Sequence, residues 1–384
     1  MPTIPDPTGA NEPAEPKLNV GSLLVLFVSS RLLIYLTAGL SLLGVRKAEG
    51  FLPPRTVLDW FLRWDALWYL DVAEHGYHFA HPGDPTTNVG YFPLYPWLMR
   101  LVSLNGVLDR RAAGYVVSFV GFWLACVLLW RLVAREWRDQ RIARWAVTFL
   151  VFSPISFFFT SLYSESWFLP LSIGCLLAAR RRRWWLAGIF GALAAFTRIV
   201  GVALVVPLAW EALLAMREEG GWRWPRLSEI LGSAMPVLGI LAYAAVMWAT
   251  FGNPFMYSQA QIDSGRHFTW FWGLFARSSF TGLSLFYRWW FAGTVVISLL
   301  ALAAGVLLRM RTTYIVYALT FGFIYISARF IDSVPRYFGV LFPLYIVAAL
   351  LVVRWPRLAT PLLALSVILQ TLSVILFVNG YWFT

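Results

Sequence analysis

The chain has 384 residues, of which 59% are hydrophobic and only 13% charged, with a mean hydropathy of +0.67. Soluble domains carry about 25% charged residues, so this composition excludes an ordinary soluble domain, and recurrent apolar runs near bilayer length mark an integral membrane protein. The net charge of +12 comes almost wholly from arginines at the ends of those runs, where they set orientation and meet anionic headgroups; no nucleic-acid partner is implied.

In chain order, residues 1–18 read as a disordered tail, rich in Pro and acidic residues at its start. Spans are predicted at about 19–43, 112–130, 145–162, 164–179, 184–199, 200–216, 229–250, 288–308, 312–328, 337–353 and 358–380, as one transmembrane domain over 19–384. The first run is too long, and lacks a small-residue cleavage site, for a removable signal peptide. Cys126 and Cys175 fall inside apolar runs and read as packing residues rather than a disulfide or metal framework. Five arginine-rich connectors, at 131–144, 180–183, 217–226, 309–311 and 354–357, fall on the same side in this register. The positive-inside rule makes that side cytoplasmic, together with the N-terminus, and places the C-terminus outside. Residues 44–111 and 251–287 become extracytoplasmic loops whose mixture of Trp, Tyr, Phe and charges predicts helices lying in the membrane interface.

Within the first loop, Asp65 is flanked by Arg63, Trp64, Trp68 and Tyr69. Aromatic desolvation predicts a raised pKa and a general base for a hydroxyl group; the alternative is a salt bridge to Arg63 or another arginine. Asp71, Glu74, His75 and His78 share helical spacing, with His81 close behind, and form either a wetted interfacial face or a metal site. Glu165, at the outer end of two adjacent runs, either faces a cavity or caps its helix with Ser164. Arg198 and Arg336 sit on the outer side in apolar sequence and call for an anion, a phosphate or carboxylate of a ligand, or an acid of the chain such as Glu165 or Asp332. Arg266, His267 and Arg329 carry weaker versions of that signal. Arg31 is the one arginine deep within a span. No nucleotide-binding or metalloprotease motif occurs in a credible context.

The segments RWDALWYLDVAEHGY, YFPLYP, SPISFFFTSLYSESWF, FTRIVG and PRYFGVLFPLY, in this order, resemble the GPI mannosyltransferase II (PIG-V type) family. That family is placed in the GT-C class of polytopic glycosyltransferases, which take a sugar from a lipid-phosphate donor on the outer side and use an essential acid in the first outer loop. The resemblance implies an all-α, GT-C-type membrane bundle with interfacial helices in that loop. It implies Asp65 as catalytic base, Glu165 as a second active-site acid, and Arg198 and Arg336 as phosphate or substrate contacts, with Arg63, Trp64, Tyr91 and Tyr163 lining the substrate site. No DxD accompanies Asp65, so neither metal nor other cofactor is expected. The segment after Arg198 reads IVG where the eukaryotic branch has SNG; Arg-rich, Lys-poor usage points to a prokaryotic relative. The expected reaction is inverting hexosyl transfer, of mannose above all, from a polyprenyl-phosphate donor to a lipid or glycolipid hydroxyl outside the cell membrane. Two rivals stand beside it: a transporter or flippase of a lipid-linked sugar, and a metal-dependent hydrolase at Asp71, His75 and His78.

Overall fold

The computed structural model describes residues 16–79, 81, 87–219, 223–263, 285–327 and 333–381. Most of the expected tail, and Arg266, His267, Arg329 and Asp332, lie outside the described residues. Among those described the chain is helical, without a strand. Its helices, in chain order, are α1 Val20–Gly44, α2 Asp65–His75, α3 Leu94–Val102, α4 Arg110–Trp137, α5 Gln140–Val151, α6 Glu165–Arg180, α7 Trp184–Thr197 and α8 Val205–Glu218. They continue as α9 Leu227–Ala234, α10 Pro236–Phe251, α11 Met256–Asp263, α12 Leu285–Leu307, α13 Thr312–Ile326, α14 Val334–Phe338, α15 Pro343–Arg354 and α16 Ala359–Val378.

Five helical segments among the described residues are long and apolar enough to cross a membrane: Val20–Gly44, Arg110–Trp137, Ile199–Glu218, Trp289–Leu307 and Pro356–Val378. A sixth is the pair α9–α10, bent by 41° between them. Helices α7, α13 and α15 are apolar but shorter. The apolar run expected to span at 145–162 is not one helix. It ends at Val151, passes through a 3₁₀ turn at Ser156–Phe159, and becomes helical again at Glu165. Irregular backbone of this kind survives at membrane depth only when protein buries it, and residues 155–166 are all buried. Hydropathy alone does not distinguish such a stretch from a helix.

Helix α6 is buried along almost its whole length, as expected of a helix apolar on all sides, and it lies between α4 and α7. Lipid supplies no hydrophobic force between helices, so close backbone approach through small residues takes its place. A Cβ on Gly121 would meet Ser166 O at 2.5 Å, and one on Gly114 would meet Leu162 at 2.6 Å. These two glycines let α4 press directly against the chain entering α6, which carries Tyr163, Ser164 and Glu165.

The opposite ends of these helices share an ion-pair cluster. Glu211, fully buried, accepts from Arg180 at 3.1 Å, from Arg311 at 2.8 and 2.9 Å, and from Thr313 at 2.5 Å. Arg180 also contacts Glu136, and Glu218 bonds both Arg182 and Arg311. The connectors after α4, α6, α8 and α12 therefore meet at one end of the bundle. Glu165 lies at the other end of α6, about 22 Å from Arg180 at 1.5 Å rise per residue.

Candidate active site

The first loop is built as helical pieces rather than as an open excursion. Helix α3 buries Tyr95, Pro96 and Met99, while Trp97 and Leu101 stay exposed, an amphipathic division suited to the interface. Helix α2 begins at Asp65, immediately after Trp64, whose φ of 46° and ψ of −116° lie outside the regions a bulky residue favours. Such strain costs on the order of 1–3 kcal/mol and is held only where packing insists on it; the Trp64 ring packs edge-on against Phe377 of α16, centroids 4.7 Å apart. The sharp entry places Asp65 at the helix N-terminus, where the dipole favours a carboxylate.

Asp65 meets a guanidinium from the far end of the sequence. Arg336 Nη1 donates to Asp65 Oδ2 at 2.6 Å, and Tyr91 donates its hydroxyl to Asp65 Oδ1 at 3.1 Å. Arg336 Nε lies 3.1 Å from Glu165 Oε1, which also contacts Arg198 Nη1. Two carboxylates and two guanidiniums thus form one chain: Asp65, Arg336, Glu165, Arg198. The side chains of Arg336 and Glu165 are 4% and 2% exposed, whereas that of Asp65 is 31% exposed, so the cluster is reached from its Asp65 end.

Aromatic and hydroxyl groups enclose it. The Arg336 guanidinium carbon lies 5.1 Å from the Tyr163 ring centre and 4.9 Å from that of Tyr337, and Tyr337 also faces Arg198 at 5.1 Å. Tyr69 and Ser164 share a hydrogen bond of 2.6 Å, and Trp68 stacks on Tyr91. Desolvation pushes the Asp65 carboxyl upward. The Arg336 charge and hydrogen bond and the Tyr91 hydroxyl outweigh it, and hold Asp65 below the usual carboxylate range. The raised pKa expected from the flanking aromatics is therefore corrected: the deciding neighbour is not adjacent in sequence.

Of the expected site residues, Asp65, Glu165, Arg198, Arg336, Tyr91 and Tyr163 come together. Arg63 does not bring its charge there. Its guanidinium lies over the Phe51 ring and donates weakly to Leu52 O, while its backbone carbonyl accepts from Tyr163 at 3.0 Å. Tyr337 and Ser164 also belong to the site; their only sequence signal is adjacency to Arg336 and Glu165. No group of three or more His, Cys, Asp or Glu among the described residues is placed to hold a metal. Asp71 instead bonds His75 Nδ1 at 2.9 Å and accepts from Asn88 at 2.6 Å, and Asn88 in turn accepts from the His78 N–H. Asp71, His75, His78 and Asn88 thus form a polar clamp between the end of α2 and Asn88.

Residues 49–216 match a family model described as Mannosyltransferase (PIG-V). This part of the chain is similar to PIG-V mannosyltransferases. The chain is 30% identical over 179 residues to GPI alpha-1,6-mannosyltransferase 2 of Cricetulus griseus, covering 41% of this chain and 35% of that protein. With the Homo sapiens protein of the same name it shares 27% identity over 201 residues, 46% of this chain and 40% of that one. The matched stretch thus spans little more than a third of these curated relatives. The family-model match over residues 49–216 includes Asp65, Tyr91, Glu165 and Arg198, but not Arg336.

The fold likeness extends further along the chain. ArnT from Cupriavidus metallidurans, bound to undecaprenyl phosphate, superposes with a TM-score of 0.55 at 14% identity, covering 94% of this chain and 76% of that one. The Archaeoglobus fulgidus oligosaccharyltransferase AglB, in complex with an inhibitory peptide and a dolichol-phosphate, gives 0.50 at 12% identity, with 94% and 55% covered. These likenesses show a GT-C-type membrane fold.

Proposed function

We propose that the protein is a membrane glycosyltransferase that moves a hexose, mannose in the first instance, from a polyprenyl-phosphate carrier to a lipid or glycolipid hydroxyl. The observation that carries this reading is the four-residue chain of Asp65, Arg336, Glu165 and Arg198, open at Asp65 and lined by Tyr91, Tyr163 and Tyr337. Similarity to PIG-V-type enzymes supports the sugar, and two solved proteins of like fold hold a polyprenyl phosphate.

The chemistry follows from the charges. A lipid-linked phosphate entering at the Asp65 end meets Arg336, whose planar fork suits phosphate oxygens. Each guanidinium engaged by the phosphate is withdrawn from a carboxylate, so donor binding frees Asp65 from the contact that keeps it weakly basic. The acceptor hydroxyl gives its proton to Asp65 while its oxygen attacks the anomeric carbon from the face opposite the phosphate. The carbon–oxygen bond to phosphate breaks, its electron pair stays on the carrier phosphate, and the sugar inverts. Arg336 and Arg198 stabilise the charge arriving on that leaving group, which is the larger part of the catalytic work. A phosphate leaves without a general acid. Glu165 Oε2, with no hydrogen-bond partner among the described residues, supplies an acceptor for a sugar hydroxyl. Trp64 and Trp68 beside Asp65 serve sugar stacking and interfacial anchoring. The guanidiniums already provide positive charge at the phosphate, so the reaction is read as independent of a metal.

The site is read as extracytoplasmic and the arginine-bonded end of the bundle as cytoplasmic, with the N-terminus cytoplasmic and the C-terminus outside in the cell membrane. The test is incubation of the purified protein in lipid nanodiscs with labelled polyprenyl-phosphate-mannose and a membrane lipid extract. Transfer of label to a new lipid product supports the reading. Movement of intact donor across a vesicle bilayer without transfer would replace it with a flippase.

A further inference from the structure

Arg31 lies near the middle of α1, 5% exposed, in a helix of bilayer length. Ionisable groups at such depth are costly and normally pair with an acid. Arg31 pairs with none among the described residues; its five N–H donors are all taken by neutral oxygens. Nη1 donates to Ser156 O at 3.0 Å and to Thr160 Oγ1 at 2.6 Å. Nη2 donates to Val151 O at 3.1 Å and to Ser156 Oγ at 2.8 Å, and Nε to Ser30 Oγ at 3.2 Å. The plane sits 4.7 Å from the Phe122 ring centre. A saturated guanidinium has no donor left for a ligand, which removes it from any transport path.

Four of those five bonds go to the break between α5 and α6. From α16, Gln370 Nε2 reaches the same place, donating to Val151 O and Ser153 O at 3.0 Å and to Ser156 Oγ at 2.7 Å. The carbonyls that a continuous helix would have satisfied are thereby satisfied from the first and last spanning helices. The chain leaving this clamp runs through Thr160 to Tyr163, Ser164 and Glu165, the strip that meets Arg198 and Arg336.

We infer that Arg31, assisted by Gln370, is a positioning residue for the site: it holds the broken segment 152–164 in the one conformation that presents Glu165 and Tyr163 to the two arginines. It touches no substrate and acts only through that segment. A lysine keeps the charge but has three donors and no plane, so it cannot replace the clamp. The kinetic arm of the test rests on the donor reading above; the exchange arm does not.

The experiment compares wild type, Arg31→Lys, Arg31→Gln and Gln370→Leu in nanodiscs by hydrogen–deuterium exchange and, with polyprenyl-phosphate-mannose as donor, by steady-state kinetics. Exchange in residues 152–164 should rise in all three variants while α1, α4 and α16 keep their protection. In Arg31→Lys the donor KM should rise at least tenfold with the acceptor KM unchanged, whereas simple loss of folded protein lowers kcat and moves neither KM. Wild-type protection of 152–164 in both Arg31→Gln and Gln370→Leu overturns the inference, as does a loss of kcat with both KM values intact. If wild type transfers no sugar, the donor reading fails and exchange alone decides the role of Arg31.

Discussion

Asp65 and Arg336, 271 positions apart in sequence, are joined by a 2.6 Å hydrogen bond that ties the first residue of α2 to the short helix α14. The same guanidinium reaches Glu165 through Nε, so a single side chain holds both acids of the site. The pairing gives Asp65 a ready-made counter-ion.

If Asp65 takes the acceptor proton, Asp65→Asn should reduce turnover by roughly 10²–10⁴, the usual worth of general-base catalysis. Binding of polyprenyl phosphate, measured without turnover, should change little, since Arg336 keeps Glu165. Asp71→Asn, in the polar clamp, should cost far less, and chelation should leave the rate unchanged. Near-normal turnover in Asp65→Asn would end its assignment as the base.

On the proposed reading, Arg336 should set both donor affinity and the acid limb of the pH profile. Arg336→Lys cannot hold two oxygens with a planar fork, and donor affinity should fall about tenfold. In wild type, Asp65 is held below the usual carboxylate range, so the free enzyme keeps its base ionised until pH falls below that range. In Arg336→Met the lowering partner is gone and desolvation remains, so Asp65 titrates higher. The acid limb of kcat/KM, which reports the free enzyme, should move to higher pH; movement to lower pH, or none, contradicts the pairing.

Glu165→Gln removes the buried negative charge between Arg336 and Arg198. Loss of one member of a buried pair costs about 3–5 kcal/mol, so the melting temperature in detergent should drop by several degrees. Arg198→Met combined with Glu165→Gln should recover part of that loss. Additive losses in the double variant would show that the two side chains do not share a contact in the folded protein.

Membrane orientation is open to direct labelling. Arg141, with a side chain 76% exposed, and Glu74, also exposed, are suitable cysteine positions in a background lacking the buried Cys126 and Cys175. An impermeant maleimide should reach Glu74→Cys from outside whole cells and Arg141→Cys only after permeabilisation. Labelling of both from one side would invert or break the proposed topology.

The sequence by itself determined that this is a multi-span membrane protein, roughly where most of its apolar helices lie, and which charges are anomalous. All three depend on neighbours in the chain: apolar length, arginines at run ends, and acids or guanidiniums set where lipid or interface makes them costly. Asp65, Glu165, Arg198 and Arg336 stood out for that reason. Which of them pair was decided only by the packing of α2, α6, α7 and α14, because a salt bridge across 271 positions leaves no local trace. The same limit explains Asp65, where adjacent aromatics predicted a raised pKa and a distant guanidinium lowered it. Arg63, beside Asp65 in sequence, turns instead to Phe51 and Leu52. The run at 145–162 reads as one span because hydropathy sums side chains and is blind to backbone hydrogen bonds; the break appears only once Arg31 and Gln370 are seen to satisfy it.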